Sequence, residues 1–240
     1  MSSLHSLPEG FRALVLGGSG AIGGALVAAL RADVRCGGVW SLSRQAGAAG
    51  EPAVDLTDEP SLAAAAAALG PQAPFHLIVC ATGVLHVNGR PPEKRLADLD
   101  AATLAQAMAV NAIGPALAIK HLHGLLPLRE RGLLAVLSAR VGSIGDNRKG
   151  GWYGYRASKA ALNMLLRSAA IEVARKRPLA VLAALHPGTV ASRLSAPILG
   201  DVPASSPAAA AQNLLGVLDA LPAEGASGGF HAWDGQAIPW

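Results

Sequence analysis

A tyrosine and a lysine four residues apart are the first pair in this sequence whose types and spacing could do chemistry. Tyr155 and Lys159 lie in the stretch GWYGYRASK, residues 151–159, at the start of an apolar, helix-patterned segment. On a helix this spacing puts both side chains on one face, one turn apart. A phenol has an unperturbed pKa of about 10, and a neighbouring ammonium lowers that pKa by stabilising the phenolate. The pair therefore predicts a proton donor and acceptor, although a half-buried core tyrosine and a solvated lysine would share the same spacing.

A glycine-rich loop near the N-terminus indicates a phosphate-binding turn. The apolar run 12–16 leads into Gly17-Gly18-Ser19-Gly20-Ala21-Ile22-Gly23-Gly24, and a helical pattern follows that ends near Leu30. Strand, glycine loop and helix in this order form the first half of a dinucleotide-binding βαβ unit. Free N–H groups and the positive end of the helix dipole stabilise a pyrophosphate at such a turn. The alternative interpretation is an ordinary glycine-rich turn between a strand and a helix.

The end of the second predicted strand, residues 37–42, indicates which dinucleotide binds. That strand ends in Ser43-Arg44. An NAD-preferring unit usually offers an acidic side chain to the ribose 2′-hydroxyl at this point, whereas an arginine accommodates a 2′-phosphate. No acid is present there and a guanidinium follows at once, so NADP(H) is favoured over NAD(H). A solvated surface arginine is the alternative.

Strands alternate with helices through most of the chain. Further strands are predicted at 52–56, 75–80, 132–138, 179–185 and 228–233, and helices near 60–69, 101–126, 153–176 and 207–220. This order predicts an α/β fold in which residues 1–240 form a single domain, a three-layer, Rossmann-type doubly wound parallel sheet. Ligands of such sheets lie beyond the carboxyl ends of the strands. Those ends fall at Gly17, Ser43, Ala81, Ser138 and Pro187, and residues 189–207, rich in Pro, Ser and Ala, predict a loop that covers the substrate.

Composition limits the partners that the chain is expected to have. Of 240 residues, 51% are hydrophobic and 15% are charged, a composition that suits a compact globule. The formal net charge is +4. The basic residues are dispersed without interleaved aromatics, so we expect no nucleic-acid partner.

No signal-peptide core precedes residue 11 and no later run reaches membrane-spanning length without Gly, Pro or charge, so we expect a cytoplasmic protein. Cys36 and Cys80 lie in apolar runs without metal-ligand spacing and are interpreted as reduced core residues.

Taken together, these motifs resemble the short-chain dehydrogenase/reductase family over nearly the entire chain. The motifs in chain order are the 17–23 loop, similar to TGxxxGxG; Asp55-Leu56, similar to the pair that touches adenine; Ala81-Thr82-Gly83, similar to the NAG turn; Asn111, similar to the helix asparagine of the catalytic tetrad; Tyr155 to Lys159, which fits YxxxK; and Pro187-Gly188-Thr189-Val190, similar to the PG motif behind the nicotinamide. Within the family, GSIGDN…GGWYGYRASKAALN and GGF…WDG…PW are more similar to the sniffer-like carbonyl reductases and the C-factor-like signalling proteins.

The resemblance implies an NADP(H)-dependent oxidoreductase that reduces a small or medium apolar aldehyde or ketone. Tyr155 would donate a proton to the carbonyl oxygen while NADPH delivers hydride to the carbon. Lys159 would lower the tyrosine pKa and bond the nicotinamide ribose, and Asn111 would hold the water that links Lys159 to solvent. The implied cofactor contacts are Gly17, Gly18, Ser19, Gly20, Ala21, Ile22, Ser43, Arg44, Asp55, Leu56, Ala81, Thr82, Gly83, Tyr155, Lys159, Pro187, Gly188, Val190 and Ser192.

The substrate and oligomer expectations also follow from the resemblance. The substrate would lie between Trp152, the loop after Gly83 and the apolar members of the 189–207 cover. A homodimer or homotetramer would form through the helices around 101–126 and 153–176, although carbonyl reductases of the similar branch can be monomers.

The sequence also departs from the family pattern. Leu16 stands for the usual threonine, Ala21 for the second glycine and Ala81 for the turn asparagine. Alignment on Gly142 puts Ala139 where the family has its catalytic serine. Ser138 is the preferred substitute and Ser143 the alternative, although strand alternation predicts that Ser138 faces away. The missing serine keeps open a second function, an NADP(H)-binding signalling or sensor protein with little turnover, and a third is a partner-docking surface formed by the cover.

Overall fold

The fold is built around a parallel sheet. In the computed structural model, which describes residues 4–47, 51–201, 203–222 and 224–240, the strands are β1 (Phe11–Leu16), β2 (Cys36–Leu42), β3 (Leu77–Cys80), β4 (Gly132–Leu137), β5 (Ala180–His186) and β6 (Gly229–Ala232). They form one sheet in the order β2-β1-β3-β4-β5-β6, and every pairing is parallel. All residues of β3 and β4 are buried, as expected of strands that are covered on both faces. The predicted Rossmann-type α/β fold is confirmed.

Helices cover both faces of the sheet, because alternate side chains of each strand point to opposite sides. The helices are α1 (Ala21–Arg31), α2 (Glu59–Leu69), α3 (Ala101–Met108), α4 (Gly114–Leu122), α5 (Tyr153–Ala174), α6 (Ala196–Leu199) and α7 (Pro207–Ala220). Leu133 and Ala135 of β4 pack into a core with α1 and α7. Leu134 and Val136 of the same strand pack into a second core with α2, α4 and α5. The sheet is thus the middle of three layers.

The strand predicted at residues 52–56 is wrong. Among the described residues, this segment joins the sheet edge through one isolated bridge, between Ser43 and Ala53. Beyond it, the N–H of Asp55 donates to the Ser61 hydroxyl (3.1 Å), and the N–H of Thr57 donates to the Asp55 carboxylate (2.8 Å). These local side-chain bonds take over the backbone groups that a strand ladder would need.

The single helix predicted for residues 101–126 is divided. A π-helical turn, Ala109–Ile113, separates α3 from α4 and carries Asn111. Such turns occur as single insertions within α-helices and often at functional sites.

The stretch Ala101–Leu125 is long and apolar enough to cross a membrane by length and composition alone, and 44% of its most apolar 18-residue stretch is buried within the fold. Gly114 at the start of α4 packs against Leu56, since a Cβ there would lie 2.8 Å from the Leu56 Cβ.

The segment 189–207 contains α6 and is closed at its ends by one bridge between Val190 and Ser205. Val202, in the middle of the predicted cover, lies outside the described residues. Cys36 and Cys80 are both free thiols; Cys80 is buried and Cys36 is half-buried.

Candidate active site

Tyr155 and Lys159 come together at the carboxyl end of β4. Both lie in the first two turns of α5, which begins at Tyr153. Lys159 is buried, and its Nζ donates a hydrogen bond to the carbonyl oxygen of Leu137, the last residue of β4, at 2.8 Å. The same Nζ lies 5.9 Å from the centre of the Tyr155 ring. The fold therefore holds the phenol and the ammonium side by side at the edge of the sheet where ligands bind.

Burial controls the charge of both groups. It raises the pKa of Tyr155 to about 12 and lowers the pKa of Lys159 to about 8, because each charged form loses its hydration. The expected depression of the phenol pKa by Lys159 is not found in this arrangement. The ammonium is engaged by the Leu137 carbonyl, and desolvation of the phenolate outweighs its attraction at this separation. Tyr155 consequently keeps its proton at neutral pH, as a proton donor must.

Asn111 connects the loop after β3 to α5. It is fully buried; its Oδ1 accepts from the N–H of Val84 (2.8 Å), and its Nδ2 donates to the carbonyl of Val84 (2.9 Å) and to the Ser158 hydroxyl (3.2 Å). Gly83 packs between the side chains of Lys159 and Asn111, since a Cβ on it would lie 3.3 Å from the Lys159 Nζ and 3.4 Å from the Asn111 Oδ1. The structure therefore brings Asn111, Gly83 and Lys159 together. The water-holding role of Asn111 stays a prediction.

Neither candidate serine bonds to Tyr155 within the described part of the chain. Ser138 is buried, and its hydroxyl donates to the Oδ1 of Asn163 at 2.7 Å. The Ser143 hydroxyl accepts from the N–H of Asp146 at 3.0 Å. Strand alternation places Ser138 on the α5 side of the sheet together with Val136, and its one proton is donated to Asn163, a partner that sequence reasoning missed. The catalytic role of Ser138 stays a prediction.

The glycine loop fits the pyrophosphate of a dinucleotide. Gly17 has φ +86°, and a Cβ on it would lie 3.0 Å from the carbonyl oxygen of Ala81. A Cβ on Gly18 would lie 2.0 Å from the Ser41 Oγ, and one on Gly23 would lie 2.1 Å from the Gly17 carbonyl oxygen. Ser19, Gly20 and Ala21 are exposed, no side chain of the described residues caps α1, and no acid lies in its first turn. The N–H groups at the start of α1, which includes Ile22, are thus available to an anion.

The adenosine end of the predicted site contains charge of both signs. Arg44 is exposed after the end of β2, and the Ser43 hydroxyl beside it donates to the carbonyl of Gln45 at 2.9 Å. Hydrogen bonds from the Thr57 N–H and hydroxyl lower the pKa of Asp55, and the charge of Arg44 lowers it further. Arg44 and Asp55, which the family resemblance assigned to the same cofactor, therefore interact with each other. Leu56 is buried against Gly114.

The remaining predicted contacts follow strand ends. Ala81 donates its N–H to the Leu16 carbonyl (2.8 Å), and the Thr82 hydroxyl lies 3.2 Å from the Cys80 Sγ. Pro187 follows β5, and Gly188 has φ +77°. Val190 is buried, and the Ser192 hydroxyl lies 3.0 Å from that of Ser195.

Two neighbours of this site, Trp233 and Glu93, were not predicted to lie there. Trp233, directly after β6, packs on Gly188, whose Cβ would lie 2.9 Å from the indole Cδ1. Its place as the last residue of the strand predicted at 228–233 was a signal that could have found it. Trp152, which was expected to contact substrate, lies beside Tyr155 with the two ring centres 6.3 Å apart. The backbone N–H of Trp152 donates to the carbonyl of Glu93, a buried residue that the sequence placed only in a polar loop.

Comparisons with known proteins agree with this geometry. A family model described as enoyl-(acyl carrier protein) reductase matches residues 21–220. The chain is 34% identical over 195 residues to 1-hydroxy-2-glutathionyl-2-methyl-3-butene dehydrogenase of Rhodococcus sp. (strain AD45), covering 81% of this chain and 82% of that one. It is 36% identical over 148 residues to the C-signal of Myxococcus xanthus, covering 60% and 83% respectively. The carbonyl reductase Sniffer of D. melanogaster superposes with a TM-score of 0.82 at 21% identity, covering 95% of this chain and 99% of that one.

Proposed function

The chain belongs to the short-chain dehydrogenase/reductase family of oxidoreductases, and from that premise we propose that it reduces a small or medium apolar aldehyde or ketone with NADPH. The observation that carries the proposal is the buried Lys159 beside a protonated Tyr155 at the carboxyl end of β4. An NAD(P) dinucleotide is the ligand that this fold binds, and the glycine cradle before α1 fits its pyrophosphate.

The proposed mechanism assigns one task to each residue. NADPH, when bound, supplies the hydride to the carbonyl carbon. Tyr155 donates its phenolic proton to the carbonyl oxygen as negative charge develops there. Lys159, held by the Leu137 carbonyl, stabilises the Tyr155 phenolate electrostatically until Tyr155 regains a proton from solvent. Asn111 keeps the loop after β3 against α5 through its bonds to Val84 and Ser158.

The preference for NADPH rests on Arg44. Its guanidinium is exposed at the end of β2, where a 2′-phosphate of the cofactor would lie. We expect Arg44→Ala to lower kcat/KM for NADPH by about tenfold and to leave that for NADH unchanged, because only NADPH carries the phosphate. The exposed Arg31 at the end of α1 provides the matched control, Arg31→Ala. An equal loss for both cofactors would contradict the assignment.

A panel of aldehydes and ketones, followed by the absorbance of NADPH with NADH in parallel, tests the proposed function. We expect turnover of at least one apolar carbonyl compound and a higher kcat/KM with NADPH. Alcohols with NADP⁺ belong in the same panel, because the Rhodococcus relative is a dehydrogenase. Binding of NADPH without turnover of any substrate would contradict the proposal.

A second candidate function is supported by two observations. Ala139 stands where the family has its catalytic serine, and the Myxococcus relative is the C-signal. The chain would then bind NADP(H) as a sensing or structural ligand with little turnover. A Tyr155→Phe variant that still binds NADPH and keeps the biological activity of the wild type would favour this function over catalysis.

We further propose that segment 189–207 covers the substrate and that the protein is cytoplasmic and forms a homodimer or homotetramer. Exposed apolar side chains support the oligomer: Ile113 between α3 and α4, and Met164 and Ile171 on α5, are each more than half exposed. Cell fractionation tests the location, and deletion of α6 tests the cover through KM.

A further inference from the structure

A buried carboxylate lies at the start of the catalytic helix. Glu93 comes from the loop after β3 and is only 6% exposed. Its Oε2 accepts the N–H of Gly154 at 3.1 Å, and its backbone carbonyl accepts the N–H of Trp152. One residue from a distant part of the chain thus binds two N–H groups at the start of α5, one on the N-cap residue and one in the first turn.

Helix α5 has no cap of its own. The first N–H groups of a helix lack partners within the helix. Trp152 at the N-cap position has φ +53° and offers no side-chain bond, and the first turn contains no acid. An oxygen that accepts from the N2 or N3 amide stabilises a helix start, and a negative charge there is favoured by the helix dipole. Glu93 supplies both from outside the helix.

The fit around Gly154 is tight. A Cβ on Gly154 would lie 2.9 Å from the Glu93 Oε1 and 3.1 Å from the Leu104 Cδ2. Glycine therefore lets the carboxylate approach the helix, and any larger residue displaces it. Tyr155 is the next residue, and Glu93, Tyr155 and Asn111 line the same small cavity, which is about the size of one water molecule.

We propose that Glu93 is a positioning residue for Tyr155: it binds the first turn of α5 so that the phenol is held in the direction of the substrate carbonyl. The inference rests on the proposed function, since it assigns a residue to the same reaction. Glu93 acts through Gly154 and Trp152 and not on the substrate itself.

Three variants test this role by steady-state kinetics. Glu93→Ala removes the acceptor, and we expect kcat to fall by about tenfold with the Kd of NADPH unchanged, because misplacement of a reacting group lowers the rate steeply. Glu93→Gln keeps an oxygen acceptor, and we expect kcat within about twofold of the wild type. Lys94→Ala, at the exposed neighbouring residue of the same loop, is the matched control and should leave kcat unchanged.

Gly154→Ala displaces the carboxylate without changing Glu93 itself. Helix propensity alone predicts an unchanged kcat, but the added methyl would also approach Leu104, so thermal unfolding is measured beside kcat. The positioning role predicts a kcat loss similar to that of Glu93→Ala, since the added methyl displaces the carboxylate. Wild-type kcat in either Glu93→Ala or Gly154→Ala would overturn the proposal, as would a Glu93→Gln loss equal to that of Glu93→Ala.

Amide hydrogen exchange provides a readout that does not depend on turnover. We expect the amides of residues 152–155 to exchange faster in Glu93→Ala and Gly154→Ala than in the wild type and in Glu93→Gln. Unchanged exchange in Glu93→Ala would overturn the anchoring of α5 whatever the activity. A wild-type protein without reductase activity, together with faster exchange in Glu93→Ala, would refute the proposed function and keep the anchoring.

Discussion

At the scale of single residues, the burial of Lys159 links catalysis to stability. Burial lowers the pKa of this ammonium from 10.5 in the unfolded chain to about 8 in the folded protein. Between these two values the unfolded chain binds more protons than the folded one, so stability rises with pH in that window. Tyr155 acts in the opposite sense only at higher pH, because burial raises its pKa from 10.0 to about 12.

The Lys159 linkage predicts a measurable pH dependence. The free energy of unfolding should rise by about 1 kcal/mol between about pH 8 and pH 9 because of Lys159. Over this range the folded protein loses the proton of Lys159 and no longer contains a buried charge there. Lys159→Met should lack that gain while keeping the contributions of all other groups. Urea unfolding of both proteins at the two pH values measures the difference, and equal gains in the two proteins would contradict the burial of a charged Lys159.

The same scale shows which site residues a sequence can reveal. Tyr155 and Lys159 could be predicted because a spacing of four residues on one helix is visible in the sequence. Glu93 and Asn163 were not found, because their partners, Gly154 and Ser138, lie 61 and 25 residues away. The pKa of Tyr155 was predicted in the wrong direction, since the cost of burying a phenolate depends on packing that no spacing shows.

At the scale of elements, the contact between β1, the glycine loop and α1 forms the proposed phosphate site. Gly23 lies so close to the Gly17 carbonyl that an added Cβ would be 2.1 Å from its oxygen. Backbone cannot yield as a flexible side chain can, so the loop itself must move. For Gly216 in α7, the described residues outside its own helix place no atom within 4 Å of the equivalent position.

Gly23→Ala should therefore weaken NADPH binding by at least about tenfold, because the displaced loop no longer aims its N–H groups at the pyrophosphate. Fluorescence titration with NADPH measures the Kd. Gly216→Ala is the matched control in another helix and should bind NADPH like the wild type. Normal affinity in Gly23→Ala would show that the loop does not hold the phosphates.

Elements with strong hydrophobic patterns were predicted well, and those decided by local polar bonds were not. The buried runs of β3, β4 and β5 identified the centre of the sheet. The segment 52–56 has a shorter apolar pattern interrupted by Asp55, and hydrogen bonds with Ser61 and Thr57 take up the Asp55 N–H and carboxylate in place of a strand partner. The π-turn at Asn111 likewise had no signal beyond one asparagine within an apolar helix.

At the scale of the whole molecule, the alternation of strands and helices was sufficient to predict the architecture. A parallel sheet buries both faces, so the helices that connect its strands must pack over one face or the other. The order of strands and helices along the chain then allows few sheet topologies. The assembly is not determined in this way. It depends on which exposed apolar side chains meet a second copy.

The exposed face of α5 predicts where copies meet. Met164 and Ile171 lie seven residues apart, on the same side of the helix, and are 67% and 53% exposed. We expect Met164→Asp combined with Ile171→Asp to shift the protein to a smaller species in size-exclusion chromatography with light scattering. Val34→Asp, at an apolar side chain that is 93% exposed in the turn after α1, should leave the mass unchanged. A wild-type monomer would contradict the predicted assembly.

The reaction itself is tested most directly by removal of one hydroxyl. Tyr155→Phe should lower kcat with the best carbonyl substrate by about 10²–10⁴-fold, the contribution of a positioned proton donor, and leave the Kd of NADPH unchanged. Tyr153→Phe removes the only other tyrosine hydroxyl, two residues earlier in the chain, and should keep wild-type kcat. A Tyr155→Phe protein that binds NADPH and reduces the carbonyl compound at the wild-type rate would contradict the assignment of Tyr155 as the proton donor.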